Sequence, residues 1–117
     1  MTEAALPALA TAAFERLVAA GQPVLAEFFG PNCTICRRLE PMLGALAAET
    51  AGALAVVRVD AAADPDLAER LAIRSVPTLI LYNHGNPRAR RTGFATAAEL
   101  RAWVRPELAA APPHPSR

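Results

Sequence analysis

Cysteine, lysine and long apolar segments are scarce or absent in this sequence, and each scarcity excludes a class of protein. Two cysteines in 117 residues are too few for the disulfide framework of a small secreted scaffold. The apolar stretch from Ala4 to Phe14 has only 11 residues, which is too short to span a membrane. All 12 basic residues are arginine, and 11 acidic residues nearly cancel them. We therefore expect neither a nucleic acid nor a membrane as a partner.

The length predicts one domain, since domains usually hold about 100 to 150 residues. Leu, Ile, Val and Phe together make up 28 residues, which is enough for a hydrophobic core. The amino terminus carries Glu3 and no basic region, so we expect no secretion signal. We also expect the protein to be cytoplasmic and to act as a monomer. Residues 109–117 contain three prolines and no large apolar side chain. This composition predicts a disordered tail after a domain that spans residues 1–108.

Helical and strand-like patterns alternate along the chain. The predicted order is a helix over 12–20, a strand over 24–29, a helix over 33–50, a strand over 54–59, a helix over 65–72, a strand over 78–82, a turn over 83–87, a strand over 88–92 and a helix from 97, with a short strand near 9–11 as an option. Pro41 predicts a kink in the second helix, and Pro106 ends or interrupts the last one. Crossover helices imply parallel pairing of the early strands, and the hairpin adds antiparallel strands. The prediction is a three-layer α/β/α domain with a mixed central sheet.

The two cysteines form the segment Cys33-Thr34-Ile35-Cys36, where a buried strand passes into a helix. A thiol at a helix N-terminus faces unpaired backbone N–H groups, so its thiolate is favoured and its pKa falls below the reference of about 8.5. Cys33 is therefore the candidate nucleophile. The spacing brings Cys36 within reach of Cys33 on the first turn, which makes Cys36 the candidate resolving thiol.

Two other interpretations of the cysteines compete with the redox pair. A structural zinc site usually needs four Cys or His ligands, and the chain adds only His84 in the predicted turn and His114 in the tail. We therefore predict no metal site. The second alternative is a pair of buried thiols that pack as small hydrophobic groups.

Several motifs in order resemble the thioredoxin family over about Phe14 to Val104. The matching features are a central strand at Val24 to Phe29, an acid at Glu27, the redox pair at Cys33 and Cys36, a kinking proline at Pro41, the segment Ile73-Arg74-Ser75-Val76-Pro77-Thr78, and glycines at Gly85 and Gly93. The resemblance implies a thioredoxin fold and a thiol–disulfide oxidoreductase that reduces protein disulfides and contributes to cell redox homeostasis. It also implies that the only redox group is a Cys33–Cys36 disulfide, with no other cofactor, and that a thioredoxin reductase is a candidate partner.

The resemblance also assigns roles outside the cysteine pair. The implied substrate-binding residues are Asn32, Thr34, Ile35, Val76, Pro77 and Gly93. A cis bond before Pro77 would leave the Val76 backbone free to pair with an extended substrate segment, whereas a trans bond would make Pro77 an ordinary proline at the start of a strand. A binding or chaperone module, or a redox sensor with little reductase turnover, is the alternative function.

Glu27 is a polar residue in a strand that otherwise has the pattern of a buried one. Burial of an ionised carboxylate is costly, so we expect a raised pKa. By analogy with the family, Glu27 would act as a proton relay, taking the proton from Cys36 through water when Cys36 attacks the mixed disulfide. The alternative is a glutamate at the edge of the strand with no catalytic part.

The sequence departs from the family pattern at three places. The dipeptide between the cysteines is Thr34-Ile35 instead of Gly-Pro, and loss of the proline leaves the reduction potential open. Asn32 replaces the tryptophan that usually precedes the first cysteine. Val56 takes the place where a basic residue commonly lies near the buried acid, so we expect Glu27 to lack a basic partner.

Overall fold

The computed structural model describes residues 6–109, and within them helices and strands alternate. The elements are α1 (Thr11–Ala19), β1 (Val24–Phe29), α2 (Thr34–Glu49), β2 (Ala55–Asp60), α3 (Pro65–Arg70), β3 (Thr78–Asn83), β4 (Asn86–Arg91) and α4 (Ala97–Ala109). The predicted tail beyond residue 109 and the first five residues lie outside the described range. Among residues 6–109, no helix combines the length and apolar character needed to cross a bilayer.

The four strands form one mixed sheet in the order β2-β1-β3-β4. Strand β1 pairs with β2 in parallel and with β3 antiparallel, and β3 pairs antiparallel with β4. The first five residues of β1 and all six of β3 are buried, as expected for strands with neighbours on both sides. In place of the optional strand near 9–11, Ala8 makes a single parallel bridge to Arg58 on β2.

The sheet separates two apolar cores, because alternate residues of each strand point to opposite faces. One core joins the sheet to α2 and α4 and contains Leu25, Leu39, Leu43, Leu46, Leu54, Val56, Leu79, Leu81, Leu100 and Val104. The other joins it to α1 and α3 and contains Phe14, Val24, Ala26, Phe28, Val57, Val59, Leu67, Ile80 and Tyr82. The structure thus confirms the three-layer arrangement of helices, mixed sheet and helices.

Side chains cap two of the helices as the sequence indicates. Asp64 accepts a hydrogen bond of 3.1 Å from the backbone N–H of Leu67 at the start of α3. The hydroxyl of Thr96 accepts from the Glu99 N–H at 3.1 Å, and the Glu99 carboxylate accepts from the Ala95 N–H at 3.0 Å. These bonds satisfy backbone donors that a helix start leaves unpaired.

One predicted boundary is wrong, and at Pro106 the last helix is interrupted instead of ended. The turn predicted over residues 83–87 is a two-residue loop, because His84 and Gly85 both have positive φ, of 56° and 81°, the geometry that joins twisted antiparallel strands directly. Helix α4 continues through Pro106 to Ala109. Pro106 leaves the carbonyl of Ala102 without its helical partner, but both residues are exposed, where the interruption costs little.

Candidate active site

The chain turns sharply between the end of β1 and the start of α2. Asn32 has a φ of 57°, a left-handed conformation that asparagine tolerates better than most residues. The turn delivers Cys33 to the N-cap position of α2, a helix of 16 residues. Asn32, Thr34 and Ile35, three of the predicted binding residues, are all exposed around it.

Cys33 and Cys36 are joined by a disulfide, with their Cα atoms 5.2 Å apart. The two sulfurs differ in accessibility: Cys36 is 2% exposed, whereas Cys33 is partly exposed. The backbone N–H of Cys36 donates a hydrogen bond of 3.1 Å to Sγ of Cys33. This donor and the N-terminus of α2 both favour negative charge on Cys33. The alternative of two buried, unreactive thiols is therefore wrong, and in this state neither sulfur is free to bind zinc.

Val76 and Pro77 lie beside this turn. Their peptide bond is cis, and Pro77 is buried while Val76 is 36% exposed. The hydroxyl of the buried Thr78 donates a 2.7 Å hydrogen bond to the carbonyl of Ser75, which closes the loop that carries Val76. A Cβ placed on Gly30 would lie 3.1 Å from Cγ2 of Val76, so the absence of a side chain at Gly30 allows this close approach.

The strand register places Gly93 at the same end of the sheet. Leu79 on β3 pairs with Arg91 on β4, so two residues further along the antiparallel pair Gly93 comes level with Pro77. The same end holds the carboxyl end of β1, which leads to Cys33. The cysteine turn, the Pro77 loop and Gly93 therefore lie at one end of the sheet, the end at which β1 stops.

The surface at this end of the sheet combines exposed apolar side chains with polar ones such as Arg74 and Ser75. Ile35 (53%) and Val76 (36%) are the exposed large hydrophobic side chains found within residues 6–109. A groove of about 760 Å³ begins at Gly30, Pro31 and Val76 and continues along the β2–α3 connection and α3. Its other apolar lining residues are Ala61, Ala62, Pro65, Ala68, Ala72 and Ile73. Such a concave apolar surface suits side chains of a bound polypeptide.

Glu27 lies beneath the active-site edge and is fully buried. It is two residues from Leu25, so its side chain is on the sheet face that packs against α2, the helix that carries Cys36. The pKa of Glu27 is raised from 4.5 to about 7: burial is the main cause, the nearby Glu40 carboxylate adds to it, and Arg58 opposes both. The raised pKa that we expected is confirmed, and Glu27 is not at the edge of the sheet.

Comparison with known proteins identifies the family. The sequence model of the Thioredoxin family matches residues 5–106. This chain belongs to the thioredoxin family. It is 33% identical over 82 residues to Thioredoxin C-2 of Corynebacterium nephridii, a match covering 70% of this chain and 76% of that protein. It is 36% identical over 94 residues to a protein disulfide-isomerase of Drosophila melanogaster, covering 78% of this chain but 19% of the relative.

A solved structure agrees with the family assignment. A mutant thioredoxin from Halobacterium salinarum superposes with a TM-score of 0.81 at 26% identity, covering 92% of this chain and 93% of that one. The thioredoxin fold and the disulfide at the position of the family's redox pair make this chain a thiol–disulfide oxidoreductase.

One expectation about this thioredoxin-family site is wrong. Glu27 does not lack a basic partner, because Arg58 lies opposite it in the parallel register of β1 and β2, with Nε of Arg58 3.7 Å from Oε1 of Glu27. The base lies at Arg58, whereas Val56, two residues earlier on the same face of β2, is the position at which the family pattern places it. A signal was present in the sequence, since Arg58 interrupts the run of valines in β2 as Glu27 interrupts the apolar run in β1.

Proposed function

We propose that this thioredoxin-family chain reduces disulfides in proteins through the Cys33–Cys36 dithiol. The observation that carries the proposal is the asymmetry of the pair at the start of α2. Cys33 is partly exposed and accepts the Cys36 N–H bond, while Cys36 is buried next to it. A nucleophile must be reachable by a protein substrate, whereas a resolving thiol needs to reach only the first cysteine.

In the first step, the Cys33 thiolate attacks one sulfur of a substrate disulfide. A bond forms between Sγ of Cys33 and that sulfur, the substrate S–S bond breaks, and the second substrate sulfur leaves as a thiolate that takes a proton from solvent. The N-terminus of α2 stabilises the attacking thiolate before the bond forms.

In the second step, Cys36 resolves the mixed disulfide. The Cys36 thiol loses its proton to Glu27 through water, and its sulfur attacks Sγ of Cys33. The bond from Cys33 to the substrate breaks, and the substrate sulfur leaves as a thiolate that takes a proton from solvent, while Glu27 later returns its own proton to solvent. Two electrons have then passed to the substrate, and the protein holds the Cys33–Cys36 disulfide. A pKa of about 7 suits Glu27 for this role, since an acid–base group works best when its pKa is near the working pH.

The substrate would lie across the active-site end of the sheet as an extended segment. Val76 offers its backbone for pairing with such a segment, and Ile35 and Val76 offer exposed apolar side chains. Asn32, Thr34, Pro77 and Gly93 complete the proposed contact surface. In this proposal the Cys33–Cys36 pair is the only redox group.

The setting of the reaction is part of the same proposal. A reduced compartment such as the cytoplasm suits a chain whose two cysteines form one redox pair. A thioredoxin reductase would return the disulfide to the dithiol, so that the monomeric protein carries electrons to its substrates and contributes to redox homeostasis.

Insulin reduction with dithiothreitol as electron donor tests the proposal. We expect turnover by the wild type, and none above the uncatalysed rate for Cys33→Ser. Cys36→Ser should instead accumulate a mixed disulfide at Cys33, visible by mass spectrometry. Equal and negligible turnover by the wild type and Cys33→Ser would contradict the proposed reductase activity and favour a binding module.

The dipeptide Thr34-Ile35 leaves one competing function open, a more oxidising protein that forms or rearranges disulfides. The likeness to a protein disulfide-isomerase points the same way. Equilibration of the pair against glutathione buffers distinguishes the two functions. A potential near about −270 mV supports a reductase, whereas one near about −180 mV supports an isomerase.

A further inference from the structure

Arg58 lies between two carboxylates of unequal burial. A terminal nitrogen of its guanidinium is 3.0 Å from Oε2 of Glu40 on α2, while its Nε is 3.7 Å from Oε1 of Glu27. Glu27 is fully buried, whereas the Glu40 side chain is 30% exposed. Arg58 is thus shared between Glu40, which is partly exposed, and Glu27, which we propose as the proton acceptor.

Arg58 lies closer to Glu40 than to Glu27. The ion pair with Glu40 is the closer one, at 3.0 Å, whereas 3.7 Å to Glu27 is too long for a hydrogen bond. Within residues 6–109, three buried atoms have no hydrogen-bond partner: the two carboxylate oxygens of Glu27 and Nε of Arg58. The buried acid therefore has a cation nearby but receives no hydrogen bond from it.

One further contact holds the guanidinium in this position. Its central carbon lies 4.0 Å from the centre of the Phe29 ring, a cation–π arrangement. The backbone of Arg58 is held by residues 7–9, since its N–H donates to the Pro7 carbonyl at 2.9 Å and its carbonyl accepts from the Leu9 N–H at 2.8 Å. With the backbone held, the Phe29 ring and the ion pair with Glu40 determine where the side chain lies.

We propose that Glu40 is a positioning residue: it holds the Arg58 guanidinium near its own carboxylate and so limits how strongly Arg58 stabilises the ionised form of Glu27. The inference rests on the proposed function where it concerns the reaction, because it gives Glu40 an effect on the step in which Glu27 accepts a proton. The charged groups that act on Glu27 are Arg58 from β2 and Glu40 from α2. Its neighbour on β3 is the apolar Leu79, and α4 contributes the apolar Leu100 and Val104 to the core on this face.

Removal of the Glu40 charge should act on Glu27 in one direction. Glu40→Gln removes a like charge and releases the terminal nitrogens of Arg58, and both changes favour the ionised carboxylate. We expect the pKa of Glu27 to fall by roughly half to one unit. Arg58→Met removes the opposing positive charge and should raise the same pKa. Opposite shifts at two contacting residues distinguish positioning from a general loss of structure.

Two measurements on the full chain test the inference. Carbon-13 NMR titration of the Glu27 carboxyl gives its pKa directly. Stopped-flow reaction of the reduced protein with Ellman's reagent gives the resolving step, because attack by Cys33 releases the first thionitrobenzoate and attack by Cys36 on the mixed disulfide releases the second. The pH profile of the second release reports on the proton acceptor of Cys36.

Glu49→Gln is the matched control. Glu49 lies on the same helix and pairs with an arginine, Arg101, at 3.6 Å, so the change removes an equal charge from a similar ion pair. This variant should leave both the NMR titration and the pH profile as in the wild type.

The outcomes separate the two proposals. Positioning predicts that Glu40→Gln lowers the Glu27 pKa more in the wild type than in an Arg58→Met background, because only the direct repulsion by Glu40 remains there. That result, with the kinetic midpoint of Glu40→Gln moved to lower pH by the same amount as the pKa, supports both proposals. The same result with an unmoved kinetic profile supports the positioning of Arg58 by Glu40 and overturns the relay role of Glu27, while equal shifts in the two backgrounds overturn the positioning. If the Glu27 pKa in Glu40→Gln equals that in Glu49→Gln, the inference is wrong, whatever the effect of Arg58→Met on folding.

Discussion

Glu27 and Arg58 occupy paired positions on neighbouring parallel strands, yet their closest charged atoms are 3.7 Å apart and do not form a hydrogen bond. The arginine softens the cost of the buried carboxylate without removing it. As a result burial still dominates, and the pKa of Glu27 is about 7 instead of 4.5. A group with this pKa exchanges its proton under physiological conditions.

Stability should depend on pH through Glu27. Because the carboxyl titrates at 4.5 when unfolded and at about 7 when folded, the folded state binds an additional proton between these values. The contribution is therefore fully present below pH 4.5 and is lost as the pH rises through 7, which amounts to about 3 kcal/mol. Urea unfolding at pH 5 and pH 8 should show this loss in the wild type but not in Glu27→Gln. Equal losses in both proteins would contradict the assignment.

A side chain at position 30 should disturb Val76. Gly30→Ala brings its Cβ to 3.1 Å from Cγ2 of Val76, so we expect a loss of about 1 kcal/mol in the free energy of unfolding and slower insulin reduction. In a Val76→Ala background the contact is absent, and the same change should cost less than half as much. A double-mutant cycle by urea unfolding measures the difference, and additive effects would show that the two residues do not constrain each other.

The Thr78 hydroxyl should matter more for substrate binding than its size suggests. Thr78→Val keeps the shape but removes the 2.7 Å hydrogen bond to the Ser75 carbonyl, which we expect to cost about 1 kcal/mol of stability and to raise KM for insulin by loosening the loop that carries Val76. Thr78→Ser retains the hydroxyl and is the control. A KM for Thr78→Val equal to that of Thr78→Ser would count against a role for this bond.

Ile35 should contribute to binding and little to folding. Its side chain is 53% exposed, so Ile35→Asn should change the free energy of unfolding by less than about 0.5 kcal/mol. If a substrate covers this side chain, loss of roughly 1 kcal/mol of apolar burial would raise KM for insulin about fivefold. Reduction of Ellman's reagent, which needs no extended docking surface, should be unaffected. Ile35→Val is the conservative control, and an unchanged KM in Ile35→Asn would place docking elsewhere.

The sequence predicts the strands and helices well where local patterns are strong. The limits of β1 agree with the prediction, because an apolar run between Pro23 and Gly30 has clear ends. The caps at Asp64 and Thr96 are likewise local, since each depends on residues three positions apart. The bounds of the hairpin were wrong because the positive φ values of His84 and Gly85 shorten the turn to two residues. At Pro106 the sequence left two outcomes open, and α4 continues through an exposed position.

Residues distant in sequence determine the rest of the site. By itself, the sequence determined the cysteine pair at a helix start, the alternation of elements and the buried acid, because these depend on spacing and polarity along the chain. Only the tertiary structure decided that Arg58 faces Glu27, that Glu40 competes for it, and that Gly30 makes room for Val76. Those relationships depend on strand register and helix packing, which bring together residues that lie far apart along the chain.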